Sequence, residues 1–199
     1  MTIIARRIRT LALATTLCAP LFAVAGCGGS AAVSADAEVA ADSTDTADAI
    51  SALTSVSSEG VDAQASGATS ASIATAAATG AAGRLFPASC VVKNVVGNVA
   101  TLTMTSCTGP YGLLNINGTL TATYTLTGSG AGATLKVDLA GTAIKVNGAT
   151  LNVATSATLS GTANSRSASV TSTTQATTAR GNVITHAGMY NSTWDGMCL

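Results

Sequence analysis

The sequence predicts an all-β domain over residues 84–199, either an antiparallel sandwich or a curled meander sheet of about eight strands, preceded by a signal peptide and a disordered linker. Two observations carry this prediction. After Pro87, apolar and polar residues alternate with a period of two, which is the period of a strand with one buried face. An Asn-Gly turn also joins two alternating runs in a register that keeps apolar residues opposite each other. The small shares of aromatic residues, 3%, and of charged residues, 9%, suit one modest domain with a length of unstructured chain.

Residues 1–26 have the organisation of a bacterial export signal. Arg6, Arg7 and Arg9 form a positive segment, and an apolar run over residues 11–25 follows it. The run is shorter than the ~20 residues that a membrane-spanning helix needs. We therefore expect the first 26 residues to direct export and to be removed from the mature chain.

The end of the apolar run, Val24-Ala25-Gly26-Cys27, resembles the lipobox of bacterial lipoproteins. The resemblance implies cleavage before Cys27 and attachment of lipid to its sulfur, because the two small residues before the cysteine let the peptidase approach the backbone. Acyl chains contribute ~0.8 kcal/mol for each buried methylene, so three chains would make attachment to a membrane effectively permanent. Gly28 stands where Asp would resemble an inner-membrane retention signal, so the resemblance favours the outer membrane.

Residues 27–83 are predicted to be an acylated cysteine followed by a flexible, acidic tether. Seven of the nine acidic residues lie in this segment, which has no Lys, Arg or aromatic residue. Ala, Ser, Thr and Gly dominate it, so little apolar surface is available to offset the entropy of ordering the chain. About 55 flexible residues would hold the domain roughly 40 Å from the membrane. The spacing of Ile50, Leu53 and Val56 indicates a marginal helix over residues 43–56 as a local exception.

The longest alternating run, between residues 114 and 126, is predicted to be one strand. Asn and Thr occupy every second position, and the apolar face consists of Leu114, Ile116, Gly118, Leu120, Ala122, Tyr124 and Leu126. Shorter alternating runs follow at 135–139, 144–146, 151–159 and 168–170. These runs lack the spacings of three and four residues that a helix needs, so each is predicted to be a strand.

Asn147-Gly148 is predicted to be a two-residue hairpin turn. Such a turn would place Val146 opposite Ala149, Ile144 opposite Leu151, and Thr142 opposite Val153. The same pairing around Asn117-Gly118 would set apolar residues against threonines, so we expect that pair to lie inside the long strand. The glycine-rich residues 128–132 are predicted to form a loop between two strands.

Cys90 and Cys107 are predicted to form a disulfide. They flank the turn signal Gly97-Asn98 nearly symmetrically, so they should lie close together on neighbouring strands. Export to an oxidising compartment permits the bond, and closing this loop would contribute ~3 kcal/mol. The remaining domain cysteine, Cys198, is either free, paired with another chain, or a replacement for one of the two partners.

Three segments of the domain resemble uncharacterised β-rich lipoproteins of Gram-negative bacteria. These segments are Cys107-Thr108-Gly109-Pro110-Tyr111-Gly112-Leu113, Val146-Asn147-Gly148-Ala149-Thr150, and residues 190–195 from Tyr190 to Trp194-Asp195. The resemblance covers roughly residues 84–198, and it implies a β-rich fold without implying an activity. Such relatives continue past the Trp-Asp pair with further strands and cysteines, whereas this sequence stops at Leu199. That departure raises the expectation of a shortened domain with an unpaired strand or thiol.

The sequence predicts no enzyme activity, no cofactor and no metal site. His186 is the only histidine, and Asp138 and Asp195 are the only acidic residues of the domain, so a base, a nucleophile and an orienting carboxylate are not found together. One histidine and few carboxylates also cannot fill a four-ligand metal site. We expect His186 to be a strand residue that neighbouring groups or solvent satisfy. The six scattered basic residues of the domain are too few for nucleic-acid binding.

The aromatic residues Tyr111, Tyr124, Tyr190 and Trp194 have two interpretations. They could form a platform that stacks on sugar rings, or they could belong to the core. A domain with so few aromatic residues is expected to use them in its core, and we favour that interpretation.

These observations together predict a membrane-anchored, non-catalytic lipoprotein of the cell envelope, held at the outer membrane through its N-terminal lipid. Its expected role is structural, surface display or adhesive binding, with a surface polysaccharide or another protein as candidate partner. The alternative is a periplasm-facing carrier of a lipid or other apolar ligand between β-sheets. That alternative requires a cavity lined by residues such as Leu114, Ile116, Leu120 and Leu151. The sequence indicates no oligomeric state.

Overall fold

A computed structural model of the chain describes residues 35–57, 63, 67–109, 112, 114–161 and 165–195. The predicted export signal, the residues that resemble a lipobox, and Cys198 lie outside the described residues. No helix in the described part of the chain is both long and apolar enough to cross a membrane.

The described residues form two helices followed by seven strands. The helices are α1 (Ala35–Ser57) and α2 (Ser70–Arg84), and the strands are β1 (Val91–Val96), β2 (Val99–Thr108), β3 (Asn115–Thr127), β4 (Thr134–Val146), β5 (Ala149–Gly161), β6 (Ser165–Thr177) and β7 (Val183–Asp195). Short 3-10 turns occupy Ala88–Cys90 and Gly130–Gly132.

All seven strands belong to one antiparallel sheet, in which they follow one another in chain order from β1 to β7. The predicted all-β, antiparallel class is therefore confirmed, in its meander form and with seven strands where about eight were expected. Each strand needs only a short connection to its neighbour, which is the arrangement that hairpin turns produce. The sheet ends in two edge strands, β1 and β7.

The alternation read from the sequence matches the two faces of the sheet. In β3, Ile116, Leu120, Ala122 and Tyr124 are buried, whereas the threonines between them are exposed or half-buried. One face of the sheet therefore carries the core, because side chains of successive strand residues point to opposite faces. The prediction of a single long strand across Asn117-Gly118 is confirmed.

The predicted hairpin at Asn147-Gly148 is also confirmed. Both residues have positive φ, 48° and 89°, as a type I′ turn requires. The predicted pairs Val146 with Ala149 and Ile144 with Leu151 are observed. The third predicted pair is wrong, because a β-bulge shifts the register and Val153 pairs with Gly141 instead of Thr142.

Two β-bulges bend the sheet. One lies between Met104 and Cys107 in β2, and the other lies between Gly141 and Ile144 in β4, where one extra residue shifts the register against both β3 and β5. Asparagine side chains accept the backbone N–H groups freed at these two bulges. Ser106 donates to Oδ1 of Asn117 at 2.6 Å, and Ala143 donates to Oδ1 of Asn152 at 3.0 Å. Because a bulge bends its strand, the two bulges curl the sheet.

The structure differs from the flexible tether predicted over residues 27–83, because α1 and α2 occupy most of the described part of that segment. The marginal helix expected over residues 43–56 lies within α1. The physical reason is that alanine has the highest helix propensity and that its small side chain lets a helix approach a sheet closely. One face of α2 is buried, and it consists of one isoleucine and four alanines: Ile73, Ala74, Ala77, Ala78 and Ala81.

The core lies between the sheet and the two helices. It joins Leu53 of α1 and Ile73 of α2 to buried side chains from β2 through β6. Tyr124 is 1% exposed, so its expected place in the core is confirmed. Tyr190 is 66% exposed, so the core interpretation is wrong for that residue. Tyr111 and the side chain of Trp194 lie outside the described part of the chain.

The predicted disulfide between Cys90 and Cys107 is present, with the two Cα atoms 5.2 Å apart. Cys90 ends the 3-10 turn before β1, and Cys107 lies in β2 beyond the bulge. Both cysteines are buried, so the bond fastens the start of the sheet from inside the core.

Candidate binding cleft

A buried carboxylate joins α1 to the turn between β6 and β7. Asp42 is 5% exposed, and it accepts hydrogen bonds from Nδ2 of Asn182, at 2.8 Å, and from Arg180. The Arg180 guanidinium also forms an ion pair with this carboxylate. The hydrogen bond from Asn182 is the largest cause that holds the pKa of Asp42 below 3.8, and hydrogen bonding by Thr178 and the charge of Arg180 act in the same direction against burial. The carboxylate is therefore charged and compensated where it is buried.

A second polar contact joins α1 to β7 one turn further along the helix. Oγ1 of Thr46 lies 2.7 Å from Nε2 of His186, and the same hydroxyl lies 2.9 Å from the carbonyl oxygen of Asp42. Both hydrogen bonds form together when the hydroxyl donates to the carbonyl and Nε2–H donates to the hydroxyl. The expectation that a neighbouring group satisfies His186 is confirmed, and the histidine helps to position the helix.

The C-terminal end of α1 is held by the sheet itself. The hydroxyl of Tyr124 in β3 donates to the carbonyl oxygen of Ser57, the last residue of α1, at 2.5 Å. Between the contacts at Asp42 and Ser57, Ala49 and Leu53 are buried on the same side of the helix. This face repeats every three to four residues, as a docked helix requires.

A cleft of about 670 Å³ lies beside this docked helix. Asp42, Asp45 and Asp48 of α1 line one wall at intervals of three residues, which places them on one side of the helix. Arg84 at the end of α2 and Arg180 in the β6–β7 turn line the cleft as well. Its aliphatic lining comes from strand ends: Leu114, Ile116, Val146 and Ala149. The cleft thus combines apolar surface with charges of both signs.

The structure separates the four residues that the sequence analysis placed in a ligand cavity. Leu114 and Ile116 line the cleft, although Ile116 is also a core residue, whereas Leu120 and Leu151 lie only in the core between the sheet and the helices. A single sheet has no second sheet to enclose a ligand, so the cavity between sheets on which the carrier alternative depended is absent from the described part of the chain.

Sequence reasoning missed the residues that build the cleft wall. The sequence predicts that Asp42, Asp45 and Asp48 belong to a flexible acidic tether, and Arg180 and Asn182 belong to a turn that no motif marks. The spacing of three between the aspartates was the one available signal, since it is typical of residues that share a helix face. Pairing of Asp42 with the β6–β7 turn is a tertiary contact, so nothing in the local sequence indicates it.

The chemistry of the cleft favours binding. Within the described ranges, no group of three or more His, Cys, Asp or Glu residues could hold a metal ion. Apolar surface would exclude water from the body of a ligand, and the charged groups at the walls would orient it. No protein-family model, no curated protein and no solved structure matches this chain.

Proposed function

We propose that this chain is a membrane-anchored, non-catalytic lipoprotein of the cell envelope whose β domain binds a small ligand in the cleft beside α1. The cleft is the single observation that carries the binding role. Its volume, about 670 Å³, lies within the range of roughly 300–1,000 Å³ that small-molecule sites occupy. A few charged groups beside an aliphatic surface are also the usual lining of such sites.

The aliphatic lining favours a ligand with an apolar part. Ile116 and Val146 are paired directly in adjacent strands β3 and β4 and are at most 2% exposed. The accessible aliphatic surface of the cleft comes from Leu114 and Ala149, which are half-buried. Carrying an apolar molecule is therefore retained as a second candidate function, with the cleft in place of a space between sheets. The ligand's polar part would lie toward the aspartates and arginines of the walls.

Filling the cleft tests the binding role. Ala149 lines the cleft, so Ala149→Phe would occupy part of its volume, whereas Ala140→Phe adds the same group at an exposed position of β4. Nile red, a neutral apolar dye, serves as the probe, and its fluorescence reports binding. We expect wild type and Ala140→Phe to bind the dye alike and Ala149→Phe to bind it about tenfold more weakly. Equal binding by all three proteins would rule the cleft out as the site.

The membrane anchor rests on the lipobox resemblance at Cys27. Three acyl chains on this residue would retain the protein in membranes without help from the domain. Replacing Cys27 by Ala should move the exported protein from the membrane fraction to the soluble fraction, with Cys198→Ala as the matched control that should stay with membranes. Membrane association of Cys27→Ala equal to that of wild type would refute the anchor.

A display or adhesive role draws its support from the outer face of the sheet. This face is rich in threonine, and Thr103, Thr119 and Thr125 are exposed on it. A polar face of this kind can bind a surface polysaccharide or another protein. Such a role requires the domain to lie outside the cell. Protease treatment of intact cells tests that arrangement, since only a domain on the outside would be cleaved.

A further inference from the structure

The two edges of the sheet are built differently. β1 has six residues and contains Lys93, whose ammonium group donates to Oγ1 of Thr79 in α2 at 3.1 Å. β7 has 13 residues and contains no Lys, Arg or Pro. It pairs with β6 through 13 consecutive residue pairs without a bulge. Short length, lysine, proline and bulges are among the features that protect sheet edges from other chains, and β7 has none of these four.

The outer side of β7 presents a row of backbone groups. Among the described residues, no backbone N–H or C=O group of β7 forms a hydrogen bond beyond its pairing with β6. Three large apolar side chains of this strand are also exposed: Val183 at 64%, Met189 at 65% and Tyr190 at 66%. An extended, regular strand with free backbone groups and apolar side chains is a template for pairing with another strand.

We propose that β7 is a dimerisation edge, which pairs in antiparallel fashion with β7 of a second copy of this chain. The register that pairs all 13 residues is centred on Met189, so Met189 of one copy faces Met189 of the other. This register sets Tyr190 opposite Gly188 of the second copy, so no side chain stands across from the large ring. It also sets Asp195 of one copy opposite Val183 of the other, so the two Asp195 carboxylates do not face each other.

β7 of a second copy is a better pairing partner for β7 than β1 of a second copy is. Pairing β7 with β1 would leave seven residues of β7 unmatched and would place a lysine in the interface. Such a head-to-tail contact would also leave free edges at both ends of the pair and would build open filaments. Two β7 strands instead close the contact by a two-fold axis and form about twelve new backbone hydrogen bonds.

Crosslinking tests the register. Every variant carries Cys198→Ser, and the mature chain is purified in detergent and treated with a short bis-maleimide. Met189→Cys should crosslink, because the two thiols meet at the axis. Thr185→Cys alone should not crosslink, because position 185 of the second copy lies about 27 Å away along its strand. Thr185→Cys combined with Thr193→Cys should crosslink again, because these two positions face each other across the interface. Equal crosslinking of Met189→Cys and Thr185→Cys, or none for Met189→Cys, would overturn the proposal.

Sedimentation equilibrium in the same detergent tests the edge independently. Met189→Lys brings two like charges together at the axis, so the dissociation constant should rise about tenfold or more. Val92→Lys is the matched control, because Val92 is 67% exposed on the opposite edge strand, and its dissociation constant should equal that of wild type. A wild-type protein that remains monomeric at high concentration would also overturn the proposal.

Discussion

Replacing Tyr124 by Phe removes the hydroxyl that holds the C-terminal end of α1 on the sheet. In the wild-type protein this hydroxyl donates to the carbonyl oxygen of Ser57 at 2.5 Å. The ring stays in the variant, so the apolar packing of β3 is kept. The change therefore isolates one polar contact between the helix and the sheet.

The expected loss follows from the burial of both groups. Tyr124 and Ser57 are each 1% exposed, so water cannot replace the lost donor. A buried carbonyl left without its partner costs about 1–3 kcal/mol in the free energy of unfolding. For a domain of this size, each kcal/mol lowers the melting temperature by about 2–4 °C. We therefore expect Tyr124→Phe to melt roughly 2–12 °C below wild type.

The burial of the Tyr124 hydroxyl also gives stability a dependence on alkaline pH. Burial raises the pKa of Tyr124 to about 12, above its ordinary value of 10.0. The folded state therefore keeps a proton that the unfolded state loses between these values, so this contribution is full below pH 10 and disappears as pH rises toward 12. Tyr124→Phe has no such proton, so its stability should fall less steeply over this interval.

Thermal melting and urea denaturation, both followed by circular dichroism, measure the change in melting temperature and the pH dependence of stability. Tyr190→Phe is the matched control, because this tyrosine is 66% exposed and water satisfies its hydroxyl. We expect that control to stay within about 0.5 kcal/mol of wild type. If Tyr124→Phe were as stable as Tyr190→Phe at pH 7, the proposed fastening of α1 to the sheet would be refuted.

Two further substitutions test the curled sheet and the buried carboxylate. Gly118→Ala should destabilise the domain by about 1–3 kcal/mol, because Gly118 has φ of 129° and an added Cβ would lie 3.0 Å from the Cα atom of Ile144. Gly132→Ala, where nothing lies within 4 Å, should change urea stability little. Asp42→Asn should reduce the acid sensitivity of the melting temperature. The lowered pKa of Asp42 gives the wild type a stabilising contribution that is present above about pH 4 and is lost as pH falls further. Equal acid sensitivity in the two proteins would contradict the role given to Asp42.

The strands were predictable because their information is local. Alternation with period two identifies a strand that is buried on one face, and the long run through Gly118 became β3 as expected. Asn147-Gly148 sets its hairpin through its own backbone preference, and the symmetric spacing of Cys90 and Cys107 around a turn identified the disulfide. The bulge in β4 was not predictable, because it depends on contacts with β3. It places Gly141 opposite Val153, where the hairpin register predicts Thr142.

The helices and the cleft were not predictable in this way, because they depend on tertiary contacts. Counting large apolar residues undervalues a segment such as 73–81, where alanines stabilise the helix and pack it closely on the sheet. Asp42 has the composition of a solvated acid, yet Arg180 and Asn182 compensate its charge from a turn 138 and 140 residues later. Leu114 and Ile116, expected to line a cavity between sheets, line a cleft beside α1 instead, and the sequence does not indicate that this helix forms the facing wall.

The binding role of the cleft is tested most directly by methyl NMR spectra of the protein during titration with nile red. Binding in the cleft predicts shifts for Leu114, Ile116 and Val146, which line it. Leu135, which is fully buried elsewhere in the core, and Val92, which is exposed on β1, should keep their positions. Shifts confined to Val92 or other exposed residues, with the three lining residues unchanged, would contradict binding in the cleft.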